Sequence, residues 1–189
     1  MTRACGCCLI ALALGVAGCR PKMRADRGGG ARLEVHWSGA DTAEFSAPAV
    51  AERCDSLELL QIGAASGDTG MVLALYRSGA VEPGDYPIRP PETARATTPS
   101  AALALRFTAR TSVLGFRGDS GTVSLRRSPD GLLFGSFSAG ASAAAGRGRL
   151  TLNGSFEGLR VQRAARSCAG EPPPVDSAGL GDTAEGRVD

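Results

Sequence analysis

The chain has 189 residues, of which 43% are hydrophobic and 21% charged, and its formal net charge is only +2. This length and composition are typical of one domain with a buried core. The weak net charge, the single lysine (Lys22) and the lack of a basic helix argue against binding to nucleic acid. A single histidine, His36, leaves few candidates for metal binding or base catalysis.

The first 19 residues have the features of an export signal. Arg3 precedes an apolar segment, Leu9 to Ala17, which is shorter than the roughly 20 apolar residues of a membrane-spanning helix. The segment ends in Val16-Ala17-Gly18-Cys19, which resembles the lipobox of bacterial lipoproteins. That resemblance implies cleavage before Cys19, acylation of its thiol and an envelope protein held in the membrane by lipid. Arg20 stands where an aspartate would retain a lipoprotein at the inner membrane, so the resemblance favours the outer membrane facing the periplasm.

Cleavage also decides which cysteines remain in the mature protein. Three of the six cysteines lie within residues 1–18 and would be removed with the signal peptide. Cys19 would carry the lipid. The remaining pair, Cys54 and Cys168, is expected to form a disulfide, because disulfides persist in exported proteins. Two buried free thiols are the alternative.

Composition divides the mature chain into three parts. Residues 19–30 are polar and end in three glycines, which predicts a lipidated, flexible tether. Residues 31–168 form the folded domain. Residues 169–189 contain three consecutive prolines and few apolar side chains, so they are predicted to be disordered. This tail is acidic, because it has five acidic residues and one basic residue, Arg187.

Apolar residues alternate with polar ones in short segments of residues 31–168, a pattern that predicts β-strands. Arg32 to Trp37 alternates strictly, whereas Met71 to Tyr76 is apolar throughout, which predicts a strand buried on both faces. Further alternation occurs at Leu103, Leu105 and Phe107, at Val123 and Leu125, and at Leu150 and Leu152, with turn-forming residues at 66–70, 83–85, 118–121 and 129–131. The only helical pattern, Pro48 to Leu57, is weak. The sequence therefore predicts an all-β fold, a single antiparallel β-sandwich or barrel-like domain.

Two similar segments near the end of this domain predict a hairpin. Gly135-Ser136-Phe137 and Gly154-Ser155-Phe156 each come late in an alternating run, and Ala139 to Gly148 between them has the composition of a loop. Glycines inside strands mark a bulge or a position that an aromatic ring covers. From Asp130 to Val161 the chain resembles the C-terminal hairpin of uncharacterised β-sandwich lipoproteins of Gram-negative bacteria. This resemblance implies a fold and assigns no catalytic residues.

Two short motifs are similar to parts of hydrolase active sites. Asp68-Thr69-Gly70 and Asp119-Ser120-Gly121 resemble the paired motifs of aspartic proteases, in which two carboxylates share a proton. Ser120 also lies in a Gly-Asp-Ser-Gly sequence like that of chymotrypsin-like proteases, for which His36 would be the base. However, both segments have the composition of tight turns, and the domain is too short for either enzyme fold. A small hydrolase using Asp68 and Asp119 is therefore the less favoured alternative.

We expect a non-enzymatic interaction or accessory module, anchored in the envelope and acting without cofactor or metal. Its partners would be the membrane, through the acyl anchor, and envelope proteins or glycan. The alternative is a glycan- or lipid-binding domain, in which Trp37 and Tyr86 would line a shallow sugar-binding face.

Overall fold

The computed structural model describes residues 30–164, which form an all-β domain. Eight long strands build a closed antiparallel barrel, and two short strands are attached to it. The strands are β1 (Arg32–Gly39), β2 (Ala43–Cys54), β3 (Leu59–Ser66), β4 (Thr69–Tyr76), β5 (Gly84–Pro87), β6 (Ser100–Ala109), β7 (Ser112–Arg127), β8 (Leu133–Ala143), β9 (Arg149–Leu159) and β10 (Val161–Arg163).

The order of strands around the barrel is β1-β9-β8-β7-β6-β4-β3-β2, and pairing of β2 with β1 closes it. Closure removes the exposed edges of an open sheet. The short strand β5 pairs with the second half of β7, and β10 runs parallel to β2. The closed barrel confirms the all-β prediction and decides between its two forms in favour of the barrel.

The two ends of the barrel differ in their connections. We call the end that carries the turns after β1, β3, β6 and β8 the hairpin end. We call the opposite end the terminal end, because the chain enters the barrel there at Arg32 and leaves it there after β10. Cys54 also lies at the terminal end, where β2 stops.

Strict alternation along the strands fills the barrel with apolar side chains. In β1, Leu33, Val35 and Trp37 point inward and are buried, whereas their neighbours are exposed. Each fully buried side chain of this size contributes about 1.5–3 kcal/mol relative to exposure. Near the hairpin end the rings of Trp37 and Phe107 lie 5.0 Å apart, and Phe107 stacks on Phe116 at 5.7 Å. The interior is therefore a packed core.

The predicted hairpin of β8 and β9 is present, and its repeated Gly-Ser-Phe segments interlock. Gly135 is opposite Phe156 and Phe137 is opposite Gly154 in the strand register. A Cβ atom added to Gly135 would lie 2.6 Å from the Phe156 ring, and one added to Gly154 would overlap the Phe137 ring. Each glycine therefore makes room for the aromatic ring of the other strand, as expected from the sequence. The connecting loop is shorter than expected, because β8 continues to Ala143.

The weak helical pattern does not form a helix, and one predicted turn is wrong. The segment from Pro48 to Leu57 is the end of β2 followed by a short 3-10 turn at Asp55–Leu57. Residues 118–121 do not end a strand but lie inside β7, where the register against β8 shifts between Gly118 and Ser120. A bulge of this kind uses the same small and polar residues as a turn, which explains the error. The turns predicted at 66–70 and 129–131 do connect strands.

Candidate functional site

The motif residue Asp119 belongs to a polar cluster on the outside of the barrel. Its carboxylate accepts hydrogen bonds from Ser142 Oγ (2.6 Å), from Ser120 Oγ (2.9 Å) and from Arg149 Nη2 (2.9 Å). Arg149 also donates to Ser142 Oγ through Nη1 at 3.0 Å. The bulge in β7 turns Asp119 toward the adjacent strand β8, and through it toward β9. The cluster therefore ties together three neighbouring strands.

The charge of Asp119 is stabilised by these contacts. The hydrogen bond from Ser142 is the main cause of a pKa below the ordinary value for this carboxyl group, and burial opposes it. Ser120 and Arg149 lower the pKa of Asp119 further. A carboxylate held ionised in this way accepts hydrogen bonds but does not share a proton with a second carboxyl group. Its chemistry is that of a structural anion.

The second motif residue, Asp68, lies far from Asp119. It occupies the turn between β3 and β4 at the hairpin end. Val72, Ala104 and Arg117 share one row across β4, β6 and β7, with Asp68 four residues to one side of this row and Asp119 two residues to the other. Six residues correspond to about 20 Å along a strand, and two strand spacings add about 10 Å across. The structure therefore does not bring the two carboxylates together.

The proposed base, His36, is also remote from Ser120. His36 lies on the outer face of β1, with its side chain 69% exposed and 3.6 Å from Glu44. Its row across the sheet passes through β9 and β8 and reaches Thr122 on β7. Three strand spacings amount to about 14 Å, beyond hydrogen-bond reach. The residues of both hydrolase motifs thus lie at separate places on the barrel.

The expected sugar-binding face is absent from its predicted place. Trp37 and Tyr86 are only 4% and 1% exposed, so neither ring is available to stack on a sugar. Tyr86 donates its hydroxyl proton to the carbonyl oxygen of Glu82 at 2.6 Å. Trp37 Nε1 has no hydrogen-bond acceptor among residues 30–164. Both aromatic side chains belong to the core, which corrects the expectation that they line a surface.

An apolar groove crosses the outer wall of the barrel over β2, β3, β4, β6 and β7. Its volume is about 670 Å³. One row of its lining, in strand register, is Val50, Gly63, Val72, Ala104 and Arg117, and the next is Ala65, Gly70, Arg106 and Gly115. Small residues form its floor, and the exposed side chains of Val50 and Val113 (54% and 67% exposed) form its two walls. The lining of the groove is therefore mainly apolar.

Two arginines lie at the β6–β7 side of this groove. Arg106 is opposite Gly115, and Arg117, two residues further along β7, is its diagonal neighbour. Diagonal neighbours on adjacent strands are about 7 Å apart. Within residues 30–164 neither side chain makes an ion pair or a side-chain hydrogen bond. The groove therefore combines an apolar floor with two positive charges that the described residues do not neutralise.

The sequence signal of the groove was the apolar run from Met71 to Tyr76. Met71, Leu73 and Leu75 point into the core, as predicted. Val72 and the other outward residues of β4 are only half-buried, and Val72 lines the groove. The expectation that both faces of β4 are buried is thus met on one face only by the described residues. Sequence reasoning found the apolar outer face but not the groove.

The predicted lipid and disulfide sites lie largely outside the described residues. Cys19 and Cys168 fall outside residues 30–164, as do the predicted signal peptide, tether and tail. Cys54 is buried at the end of β2. The parallel pairing of β10 with β2 brings the chain back to this point, because Ala164 N donates to Arg53 O at 3.1 Å. Cys168 is four positions after Ala164, a distance of at most about 14 Å along the chain.

Residues 30–164 contain no group of three or more metal-ligating side chains close enough to hold an ion. In the same range no helix is long and apolar enough to cross a bilayer. Comparison of the chain with known protein families, with curated proteins and with solved structures finds no significant match.

Proposed function

We propose that this chain is a bacterial envelope lipoprotein, anchored by lipid on Cys19, that acts as a non-enzymatic interaction or accessory module. The observation that carries the proposal is the export signal, which ends in Val16-Ala17-Gly18-Cys19. The position of Arg32 is consistent with it, because the predicted tether enters the barrel directly at the terminal end. A multiply acylated terminus anchors a protein durably, whereas a single chain does not. The outer membrane is the proposed location.

The geometry of the candidate catalytic residues supports a role without turnover. Asp68, Asp119 and His36 lie at three separate places on the barrel, and Asp119 is engaged by Ser142 and Arg149. A hydrolase of either type would need its carboxylates, or its serine and histidine, within hydrogen-bond reach.

The alternative function is binding of a glycan or a lipid. The burial of Trp37 and Tyr86 weighs against the glycan, because sugar rings stack on exposed aromatic side chains. The apolar groove is the observation that favours a lipid. Lipid binding would require that no segment of the chain itself occupies the groove.

The anchor is tested by mass spectrometry of the chain purified from bacterial membranes, with Cys19→Ala as the matched control. We expect the wild-type chain to begin at Cys19 and to carry a diacylglycerol and an N-terminal acyl group. The Cys19→Ala chain should keep its signal peptide and lack the lipid. A wild-type chain cut at another residue, or free of lipid, would contradict the proposed anchor.

The accessory role is tested by crosslinking in native envelopes, followed by affinity purification of the wild-type chain and of the Cys19→Ala chain. A partner captured reproducibly with the acylated chain and lost with Cys19→Ala supports an anchored interaction module. Recovery of the acylated chain alone, together with co-purified lipid, would support the lipid-binding alternative. Substrate turnover that a single polar substitution abolishes would contradict both.

A further inference from the structure

We propose that the acidic, proline-rich C-terminal tail of this same chain docks in the apolar groove on the barrel wall, with Pro172–Pro174 on the groove floor and Glu171 and Asp176 facing Arg106 and Arg117. The inference does not depend on the proposed function, since both sides of the contact belong to one chain.

The sequence of β4 is more apolar than its surroundings in the described part of the chain require. The segment from Met71 to Tyr76 is apolar on both faces, as in strands that are covered on both sides. Residues 30–164 cover only its inner face, and Val72 on the outer face opens onto the groove with Val50 and Val113 on either side. Exposed apolar depressions of this kind mark surfaces that bind a partner, a ligand or another part of the chain.

The groove and the tail carry opposite charges. Arg106 and Arg117 are left without an acidic partner by the described part of the chain. The tail from residue 169 onward has five acidic residues and one basic residue, and two of the acids, Glu171 and Asp176, flank the three prolines closely. Arginine pairs readily with carboxylates because its planar group donates several hydrogen bonds.

The chain after Ala164 is long enough to reach the groove. The described chain ends at Ala164, which is hydrogen-bonded to Arg53 on β2, and β2 carries the groove wall residue Val50 three positions away. From Arg53, the centre of the groove lies about 10 Å back along β2, at the level of Val50, and about 10 Å across the next two strands. Eight residues from Ala164 to Pro172 span up to about 26 Å, which is sufficient. If Cys168 is bonded to Cys54, the four residues to Pro172 span about 13 Å and still reach the groove wall beside Val50.

The proline-rich segment of the tail has a composition that suits an apolar groove. Consecutive prolines favour an extended polyproline II conformation, which loses little entropy on binding and packs against apolar surfaces. The segment Pro172-Pro173-Pro174-Val175 supplies the largest apolar stretch of the tail. The floor of the groove accepts it because Gly63 has no atom within 4 Å of the position of an added Cβ.

The contact is tested by replacing Val113 with the photocrosslinking amino acid p-benzoylphenylalanine in the full chain. Phe134, an exposed side chain on β8, receives the same replacement as the matched control, because β8 lies across the barrel from β3. After irradiation, the monomer band is reduced, digested and analysed by mass spectrometry. We expect a crosslink from position 113 to residues 169–189 within one chain, and none from position 134.

Three changes define how this crosslink should respond. Raising the salt concentration to 1 M should reduce its yield severalfold, because the Debye length falls to about 3 Å. Arg106→Glu with Arg117→Glu should reduce it in the same way, and adding Glu171→Lys with Asp176→Lys should restore it. Gly63→Leu, which adds an apolar side chain to the groove floor at a position whose added Cβ meets no atom within 4 Å, should also reduce it severalfold. Fluorescence of the buried Trp37 verifies that each variant is folded.

Other outcomes overturn the proposal. A crosslink at the mass of a dimer would assign the groove to a second copy of the chain, and a crosslink to lipid or to another protein would assign it to that partner. An absent crosslink, or one equal at positions 113 and 134, would show that the tail does not occupy the groove. If Glu171→Lys with Asp176→Lys does not restore the crosslink, the proposed pairing of these acids with the two arginines is wrong. None of these results bears on acylation of Cys19, which is measured separately.

Discussion

At the scale of single residues, the part of the protease-like motif around Asp119 has a structural explanation. Asp119 sits at a bulge in β7 and accepts hydrogen bonds from Ser142 and Arg149 on the two strands beyond it. A bulge leaves one residue outside the ladder and re-aims its side chain, which here binds the neighbouring strands. The polar character of this segment is therefore used to hold the sheet together.

Asp119→Asn should lower the free energy of unfolding at pH 7 by about 1 kcal/mol, because charge-assisted hydrogen bonds are replaced by weaker neutral ones on a partly exposed surface. The pKa of Asp119 is lower in the folded chain than in the unfolded one. Its stabilising effect is therefore complete above the unfolded pKa of about 3.9 and is lost as the pH falls through the folded pKa. Urea unfolding of the wild-type chain and of Asp119→Asn, at pH 7 and near pH 2, checks this.

The matched control for this substitution is Asp68→Asn, in the turn between β3 and β4, for which no side-chain hydrogen bond within residues 30–164 is found. It should leave the unfolding free energy unchanged. An equal loss at both pH values in Asp119→Asn would contradict the electrostatic explanation of the cluster.

The interlocked Gly-Phe pairs of β8 and β9 predict how a glycine-to-alanine substitution changes the stability of the barrel. Gly154→Ala should destabilise the barrel by about 1–3 kcal/mol, since the new Cβ overlaps the Phe137 ring and the Glu34 carbonyl oxygen. Gly63→Ala is the matched control, because nothing lies within 4 Å of its added Cβ. It should be neutral or slightly stabilising, as alanine loses less backbone entropy than glycine. Unfolding curves that rank the two variants in the opposite order would contradict the packing.

At the scale of strands, the sequence predicted the elements whose inward residues are large. β1 was recognisable because Leu33, Val35 and Trp37 alternate with charged residues, and the β8–β9 hairpin was recognisable from its repeated motif. Part of β2 has a weak helical pattern instead, because its inward residues from position 47 to 51 are alanines, which favour helices. The length of β7 was missed because its bulge residues are also turn residues.

The candidate sites were harder to predict from the sequence than the strands. Which motif residues converge depends on strand order and register, and a barrel in which β4 pairs with β6 and β1 with β9 does not follow from spacing along the chain. The groove was missed for the same reason, because its lining residues come from five strands. Only the apolar outer face of β4 indicated that a covered surface was needed.

The short strand β10 makes the predicted disulfide testable. Its parallel pairing with β2 places Ala164 beside Arg53, the residue that precedes Cys54. Maleimide treatment of the denatured mature chain, followed by mass spectrometry, should add no label without reduction and two labels after it. Cys168→Ser should add one label without reduction and should lose about 2–4 kcal/mol of stability. Two labels on the unreduced wild-type chain would show two free thiols instead.

At the scale of the whole molecule, closure of the barrel joins the two ends of the domain. β1, the first strand, pairs with β9, which ends at Leu159, and also with β2. The pairing of β1 with β9 cannot form until nearly all of the domain has been synthesised, and contacts so distant in sequence slow folding. No subset of strands in this arrangement has both of its edges paired. We therefore expect the barrel to fold and unfold as one cooperative unit.

Trp37 is a natural probe of this cooperativity, because it is the only tryptophan and lies buried on β1, opposite Leu152 of β9. Urea unfolding followed by its fluorescence should coincide with unfolding followed by far-ultraviolet circular dichroism, which reports the whole sheet. Leu152→Ala should shift both curves together by about 2–5 kcal/mol, as should the matched Leu73→Ala on the opposite wall. A fluorescence transition at lower urea in Leu152→Ala alone would mean that β1 opens separately. β1 would then unfold before the other strands of the barrel.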